Sequence, residues 1–201
     1  MMISESRHVL LSEARQLYRL IFSDGRAPLT KLHRAVGVAR AGILFRKAEA
    51  GVRVNATGYV RVVAEGRIKL GDQVQFFGGM IPSSVVCQAG GELAIDSFSG
   101  FNYGVSLECE QSITIGKRCM FGSMSRVRDV ARERSGAVVI EDDVWVAHGA
   151  IIEPGVRVGA GSVVAAGSVV VADVPPNSLA LGNPAKSVGM ALLRNGASGR
   201  S

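Results

Sequence analysis

Between residues 139 and 171 an aliphatic side chain returns at every sixth position: Ile140, Val146, Ile152, Val158, Val164 and Val170. A period of six fits neither the 3.6-residue helix nor the alternating strand. Small and turn-forming residues fill the gaps, as in Pro154-Gly155, Gly159-Ala160-Gly161 and Ala165-Ala166-Gly167-Ser168, so the chain must bend after each short flat segment. Units this short cannot bury an apolar face alone. They have to stack, and a hexapeptide period is the signature of a parallel β-helix.

Upstream, the six-residue step runs through Ile95, Phe101 and Leu107, slips by two residues, and resumes at Ile115, Phe121 and Val127. Residues 128–137 (RDVARERSGA) break it with charge, which predicts an exposed loop leaving the coil before Val139 and Ile140 restart it. From Gly51 to Ile95 the β-rich pieces are interrupted by Pro82-Ser83-Ser84 and Gly90-Gly91, as expected of imperfect coils. Pro175-Pro176 deny strand hydrogen bonds and end the repeats, leaving a closing segment over residues 177–190 and a frayed tail over 197–201.

The N-terminal pattern is different. Leu10, Ala14, Leu17 and Ile21 fall on one face of a helix over residues 4–22, which Asp24-Gly25 closes. A second helix is predicted after Ala27-Pro28, with Leu29, Leu32, Val36, Ile43 and Leu44 apolar, although Gly37 and Gly42 weaken it. The fold expected is all-β: a parallel β-helix over residues 51–176, preceded by a helical segment over 1–50 and followed by a closing segment and tail over 177–201. An open coil end exposes unpaired backbone, so capping is the plainer role for the helices. Docking to a membrane surface or a partner is the sharper one.

Composition agrees with stacked rungs. Hydrophobic residues make up 47% of the 201, but aromatics only 5%, and there are 25 glycines, so the apolar content is mostly small aliphatics. No run reaches the roughly 18 apolar residues of a membrane span, and the N-terminus lacks the basic-then-apolar order of a secretory signal. A soluble, cytoplasmic protein is expected, with peripheral membrane contact left open. Cys87, Cys109 and Cys119 lack CxxC spacing and are expected to be buried filler rather than disulfides or zinc ligands. Nine of the Lys and Arg residues lie in residues 1–50 against four acids, which leaves room for an anionic partner there. They are not interleaved with aromatics as in a nucleic-acid platform, so no nucleic acid is expected.

Several segments in order resemble the left-handed β-helix hexapeptide acyltransferases, especially the branch that acetylates sugars and surface polysaccharides. They are Phe101-Asn102-Tyr103-Gly104, Ile113-Thr114-Ile115-Gly116, the run from Ile140 to Val146 with Trp145, and the closing run from Pro154 through Asp173-Val174-Pro175-Pro176 to Gly182-Asn183-Pro184-Ala185-Lys186. The resemblance covers roughly residues 68–190. It implies a left-handed coil, a homotrimer with clefts between subunits, acetyl-CoA or another acyl-CoA as donor, a sugar or glycan-precursor hydroxyl as acceptor, and no metal. A hydroxyl is a poor nucleophile at neutral pH, so a general base, normally histidine, must take its proton.

In such relatives that histidine sits in the loop after the Ile-Gly coils. Here the loop has none, and Arg132, which cannot act as a base, stands near its place. His8 and His33 lie in the helical region, where surface or packing roles are expected. His148, beside Trp145 and Ala147, is either a displaced base or an exposed corner residue. Asn102 either faces the reactants or satisfies corner backbone, and Tyr103, Asp129 and Arg132 are candidate substrate contacts. Asp129 and Glu133 would be weak bases at neutral pH unless burial raised their pKa values. On the donor side Trp145, Ala147, Ala165 and Ala166 would admit a pantetheine arm. Val171-Ala172 replaces the usual Thr-Lys, leaving Lys186, with Arg194 as a second cation, to meet a phosphate. The alternative is a catalytically degenerate hexapeptide-repeat trimer acting as scaffold or partner subunit. A zinc carbonic anhydrase on the same coil would need three histidines, and the repeats hold one.

Overall fold

The structure, a computed structural model, describes residues 28–190. The predicted helix over residues 4–22, His8, Arg194 and the tail lie outside the described residues. Within them the chain forms one helix, α1 (Pro28–Leu44), and a β-helix whose wall consists of three sheets. The first sheet stacks Glu49–Ala50, Arg67–Leu70, Glu92–Ile95, Ser112–Ile115, Val138–Ile140 and Arg157–Val158. The third stacks Val60–Ala64, Ser83–Cys87, Ser106–Cys109, Arg126–Arg128, Ile151–Ile152 and Val169–Val170. Between them the second sheet runs from Asn55–Ala56 through Gln75–Phe76, Gly100–Phe101, Met120–Phe121, Trp145–Val146 and Val163–Val164 to Ser178–Gly182. Six coils result, the strands of the wall pairing in parallel with their equivalents in the neighbouring coils.

Register puts equivalent residues one above another. Leu70, Ile95, Ile115, Ile140 and Val158 form the inner column of the first sheet, and Phe76, Phe101, Phe121, Val146 and Val164 that of the second. Each is 2% exposed or less. Coil length is not constant: Ile115 pairs with Ile140, 25 residues on, whereas Ile140 pairs with Val158, 18 residues on. The surplus lies at the corners, so the inner columns stay aligned through the irregular early coils as well as the regular late ones.

The corner between the first and second sheets shows how six residues suffice per side. Arg53, Gln73, Phe98, Arg118, Asp143, Gly161 and Asn177 all have φ between 53° and 66° there, although only one is glycine. A left-handed non-glycine residue costs roughly 1–2 kcal/mol. The cost is offset by a hydrogen bond at each step, from Gln73 N–H to Val52 O, Phe98 N–H to Asp72 O, Arg118 N–H to Ser97 O and Asp143 N–H to Lys117 O. Ion pairs join adjacent coils along the same edge, with Arg118 forked onto Asp143 at 2.7 Å and Arg157 on Glu141 at 2.7 Å.

Helix α1 covers the start of the coil, and it docks by a face other than the one its aliphatic pattern advertises. Gly37, Ala41 and Phe45 are buried, whereas Leu32, Val36 and Ile43 are 65%, 60% and 72% exposed. Gly37 permits the approach, because a Cβ there would overlap the Asn55 side chain of the first coil. Phe45 then stacks on Phe76 at 5.2 Å, Phe76 on Phe101 at 5.0 Å and Phe101 on Phe121 at 4.7 Å, forming a row of rings along the coil interior.

At the far end, the last first-sheet bridge is Val158–Val174, directly before the two prolines. The second sheet continues past them: Ser178–Gly182 adds a parallel strand, and Ala185–Gly189 folds back antiparallel on it. Residues 128–137 do leave the coil, not as an open loop but as a hairpin pairing Val130 with Ser135 and Ala131 with Arg134. No described helix is long and apolar enough to cross a membrane.

Candidate active site

The corner between the second and third sheets repeats a three-residue turn on successive coils: Asn102-Tyr103-Gly104, Gly122-Ser123-Met124, Ala147-His148-Gly149 and Ala165-Ala166-Gly167. The third residue is left-handed each time, with φ of 70°, 63°, 64° and 67°. Its N–H bonds the carbonyl of the middle residue one coil below, Met124 to Tyr103 at 3.1 Å, Gly149 to Ser123 at 2.9 Å and Gly167 to His148 at 2.9 Å. Tyr103, Ser123, His148 and Ala166 are therefore stacked in one column at the roughly 4.8 Å spacing of neighbouring strands.

Ser123 Oγ lies 2.8 Å from Nδ1 of His148. Ser123 is buried and His148 is exposed, so the bond anchors the Nδ1 edge of an imidazole that reaches solvent. Gly122 brings the two coils together, since a Cβ there would overlap the His148 backbone. When Nδ1–H donates to Oγ, the Nε2 lone pair is free to accept a proton, the state a general base requires. Sequence reasoning missed Ser123. The signal was its place two residues after Phe121, matching that of His148 two residues after Val146.

The structure gathers some of the predicted residues and separates others. Trp145 lies on the outer face of the second sheet, in register with Met120 below and Val163 above, three residues before His148. Ala147 and Ala165 flank that corner and Ala166 stands directly over His148. Asn102 and Tyr103 share the edge but lie two coils away, roughly 10 Å by strand spacing. Asn102 Oδ1 accepts the Tyr103 N–H at 2.8 Å, so the amide oxygen serves the corner backbone. Lys186 is exposed on the terminal antiparallel strand, opposite Leu181.

Asp129 and Arg132 belong to the corner between the third and first sheets, on the other side of the third sheet. Asp129 is fully buried, and its two carboxylate oxygens accept the N–H groups of Glu110 and Gln111, each at 2.8 Å. It fastens the base of the hairpin to the coil below, which is a structural use of the carboxylate. Arg132 is exposed at the hairpin tip with φ 51°. The two candidate groups of residues thus occupy different edges of the coil.

All three cysteines are buried and free. Burial pushes the Cys119 thiol up to about 12 and raises Cys87 and Cys109 as well. Among the described residues no cluster of His, Cys, Asp or Glu could hold a metal ion.

Residues 137–172 match the bacterial transferase hexapeptide (six repeats) family. The match covers the late, regular coils of the β-helix, so in that segment the chain is similar to the hexapeptide transferases. A Schizosaccharomyces pombe protein provisionally named an acetyltransferase is 39% identical over 98 residues, 43% of this chain and 47% of its own length. The chain thus spans about half the length of that relative, and less of others. Among solved structures, a hexapeptide-repeat acetyltransferase from Vibrio cholerae in complex with acetyl coenzyme A is 23% identical, with a TM-score of 0.51 over 82% of this chain and 90% of that one. A variant of the Bacillus cereus N-acyltransferase AntD, in complex with dTDP-4-amino-4,6-dideoxyglucose and coenzyme A, is 19% identical with a TM-score of 0.60 over 74% and 89%. At these identities the two structures establish a shared β-helical fold.

Proposed function

We propose that the protein is an acyl-CoA-dependent O-acetyltransferase acting on a hydroxyl of a sugar or glycan precursor, with His148 as its general base. The observation that carries the reading is an exposed imidazole fixed at Nδ1 by a buried hydroxyl, beside the small residues Ala147, Gly149, Ala165, Ala166 and Gly167. The acceptor hydroxyl attacks the thioester carbonyl as its proton passes to His148 Nε2. The tetrahedral intermediate expels the CoA thiolate, which takes that proton back from the imidazolium, so His148 ends as it began.

Trp145, Ala147, Ala165 and Ala166 form the donor wall in this reading, with Lys186 facing a phosphate of CoA. Asn102 and Tyr103, lower on the same edge, meet the acceptor. The exposed edge is closed by a neighbouring subunit of a homotrimer, which shields the imidazole from bulk water. The names of the curated relatives and the coenzymes in the two solved structures support this assignment.

The test pairs calorimetric titration of acetyl-CoA with turnover on a panel of sugar acceptors, for the wild type and His148→Ala. Donor binding is expected in both, with kcat lower by about 100-fold or more in the variant, the usual contribution of a general base. Equal turnover would remove His148 from the role. Absence of donor binding at millimolar concentration would overturn the CoA-dependent reading and favour the non-catalytic trimer, for which the arginine-bearing hairpin in place of a histidine loop is the supporting feature.

A further inference from the structure

The hairpin encloses a cleft of about 560 Å³ lined by Arg128, Ala131, Arg132, Glu133, Arg134, Glu153 and Val171. Its charges are not balanced one for one. Arg128 is committed to Glu153, with Nε 3.1 Å from Oε2 and a second bond to Oε1. Arg134 donates to the carbonyl oxygens of Val171, at 3.0 Å, and Pro154, at 3.5 Å, which fixes its guanidinium without neutralising it. Arg132 has no hydrogen bond or ion pair among the described residues, and its left-handed backbone occupies a position glycine would fill with less strain. The base of the hairpin is held by Asp129 and by the Gly136 N–H to Asp129 O and Gly155 N–H to Gly136 O bonds, both 2.9 Å. A pinned hairpin therefore presents two guanidinium charges that no carboxylate pairs, against the single carboxylate of Glu133.

We propose that this cleft binds a phosphate or diphosphate group, with Arg132 and Arg134 as its ligands. Guanidinium groups meet phosphate oxygens through paired N–H donors, and this geometry favours arginine over lysine. Glu153 lies five residues beyond His148 along the third sheet, at most roughly 16 Å of extended strand. Use of the site in catalysis rests on the acetyltransferase reading and requires an extended reactant whose phosphate lies far from its reacting atom. Two reactants have that shape, the CoA donor and a nucleoside diphosphate sugar acceptor.

The first measurement is binding of inorganic pyrophosphate to the full chain by calorimetry at low salt. The wild type and His148→Ala are expected to bind alike, Arg132→Gln about tenfold more weakly, and Arg132→Gln with Arg134→Gln not measurably. Arg132→Gln breaks no contact in the fold, so its result stands even if the double variant loosens the hairpin. No binding to the wild type at millimolar pyrophosphate, or equal binding by both arginine variants, would overturn the site.

The second measurement compares coenzyme A with pantetheine, and a nucleoside diphosphate sugar with the free sugar. If the double variant binds coenzyme A no better than pantetheine, the phosphate is the donor's. If only the nucleotide sugar loses affinity, it is the acceptor's. Loss of pyrophosphate binding with neither reactant affected would overturn the role in turnover. Loss of His148-dependent turnover has no bearing on the pyrophosphate result, so the two readings fail separately.

Discussion

Asp129 gives the sharpest separation between a structural and a substrate-binding carboxylate. Asp129→Ala removes the acceptor of two backbone donors, Glu110 N–H and Gln111 N–H, each 2.8 Å away in a fully buried setting. Hydrogen bonds to a charged group contribute about 1.5–3 kcal/mol each, which gives about 3–6 kcal/mol for the pair before water enters the vacated space. Water in that space would satisfy part of the loss, so about 3 kcal/mol is expected. For a chain of this size each kcal/mol moves the melting temperature by about 2–4 °C, so a drop of about 6–12 °C should appear in differential scanning calorimetry. Asp129→Asn is the control for shape: it keeps the volume and one acceptor but turns an NH2 group toward the other donor. It should lose at least half as much as the alanine variant, and in neither variant should the KM for the acceptor change before the hairpin melts. An asparagine variant melting within 1 °C of wild type would refute the clamp. A raised KM with unchanged melting would return Asp129 to the substrate site.

Two further predictions address packing and titration. Gly37→Ala should destabilise by about 1–3 kcal/mol, because its Cβ overlaps Asn55, whereas Gly42→Ala, with open space around it, should stabilise by about 0.5–1 kcal/mol; opposite signs in urea melts check the docking of α1. The three cysteines should resist a thiol reagent at pH 8 in the folded protein and react after unfolding. Because their folded pKa values are raised, with Cys119 near 12, stability should be unaffected below the unfolded thiol value of about 8.5 and fall as pH rises above it, as an alkaline series of melts will show.

The coil was legible because its rule is simple. One inward residue per side, repeated at register, left Ile95, Phe101, Leu107, Ile115, Phe121, Val127 and the aliphatics from Ile140 onward visible as a period, and all are buried. The docked face of α1 was not legible for the opposite reason. It is made of Gly37 and Ala41, small residues chosen for close approach, while the conspicuous aliphatics Leu32, Val36 and Ile43 point away. His148 could be found as the single histidine in the repeats. Its partner could not, because a serine 25 residues earlier carries no mark of chemistry until the corners are stacked. The role of Asp129 depended on burial, which a charged loop sequence conceals.

The unequal coil lengths have a consequence for how such a protein can change. Hydrogen bonds between neighbouring coils, not residue number, set the alignment, so a step of 25 residues from Ile115 to Ile140 and one of 18 from Ile140 to Val158 produce the same column. The entropy of a longer corner grows only with the logarithm of its length. A corner can thus act as a graft point: the arginine hairpin is an insert that could be exchanged, shortened or recoded for a different ligand while every inner residue keeps its neighbours.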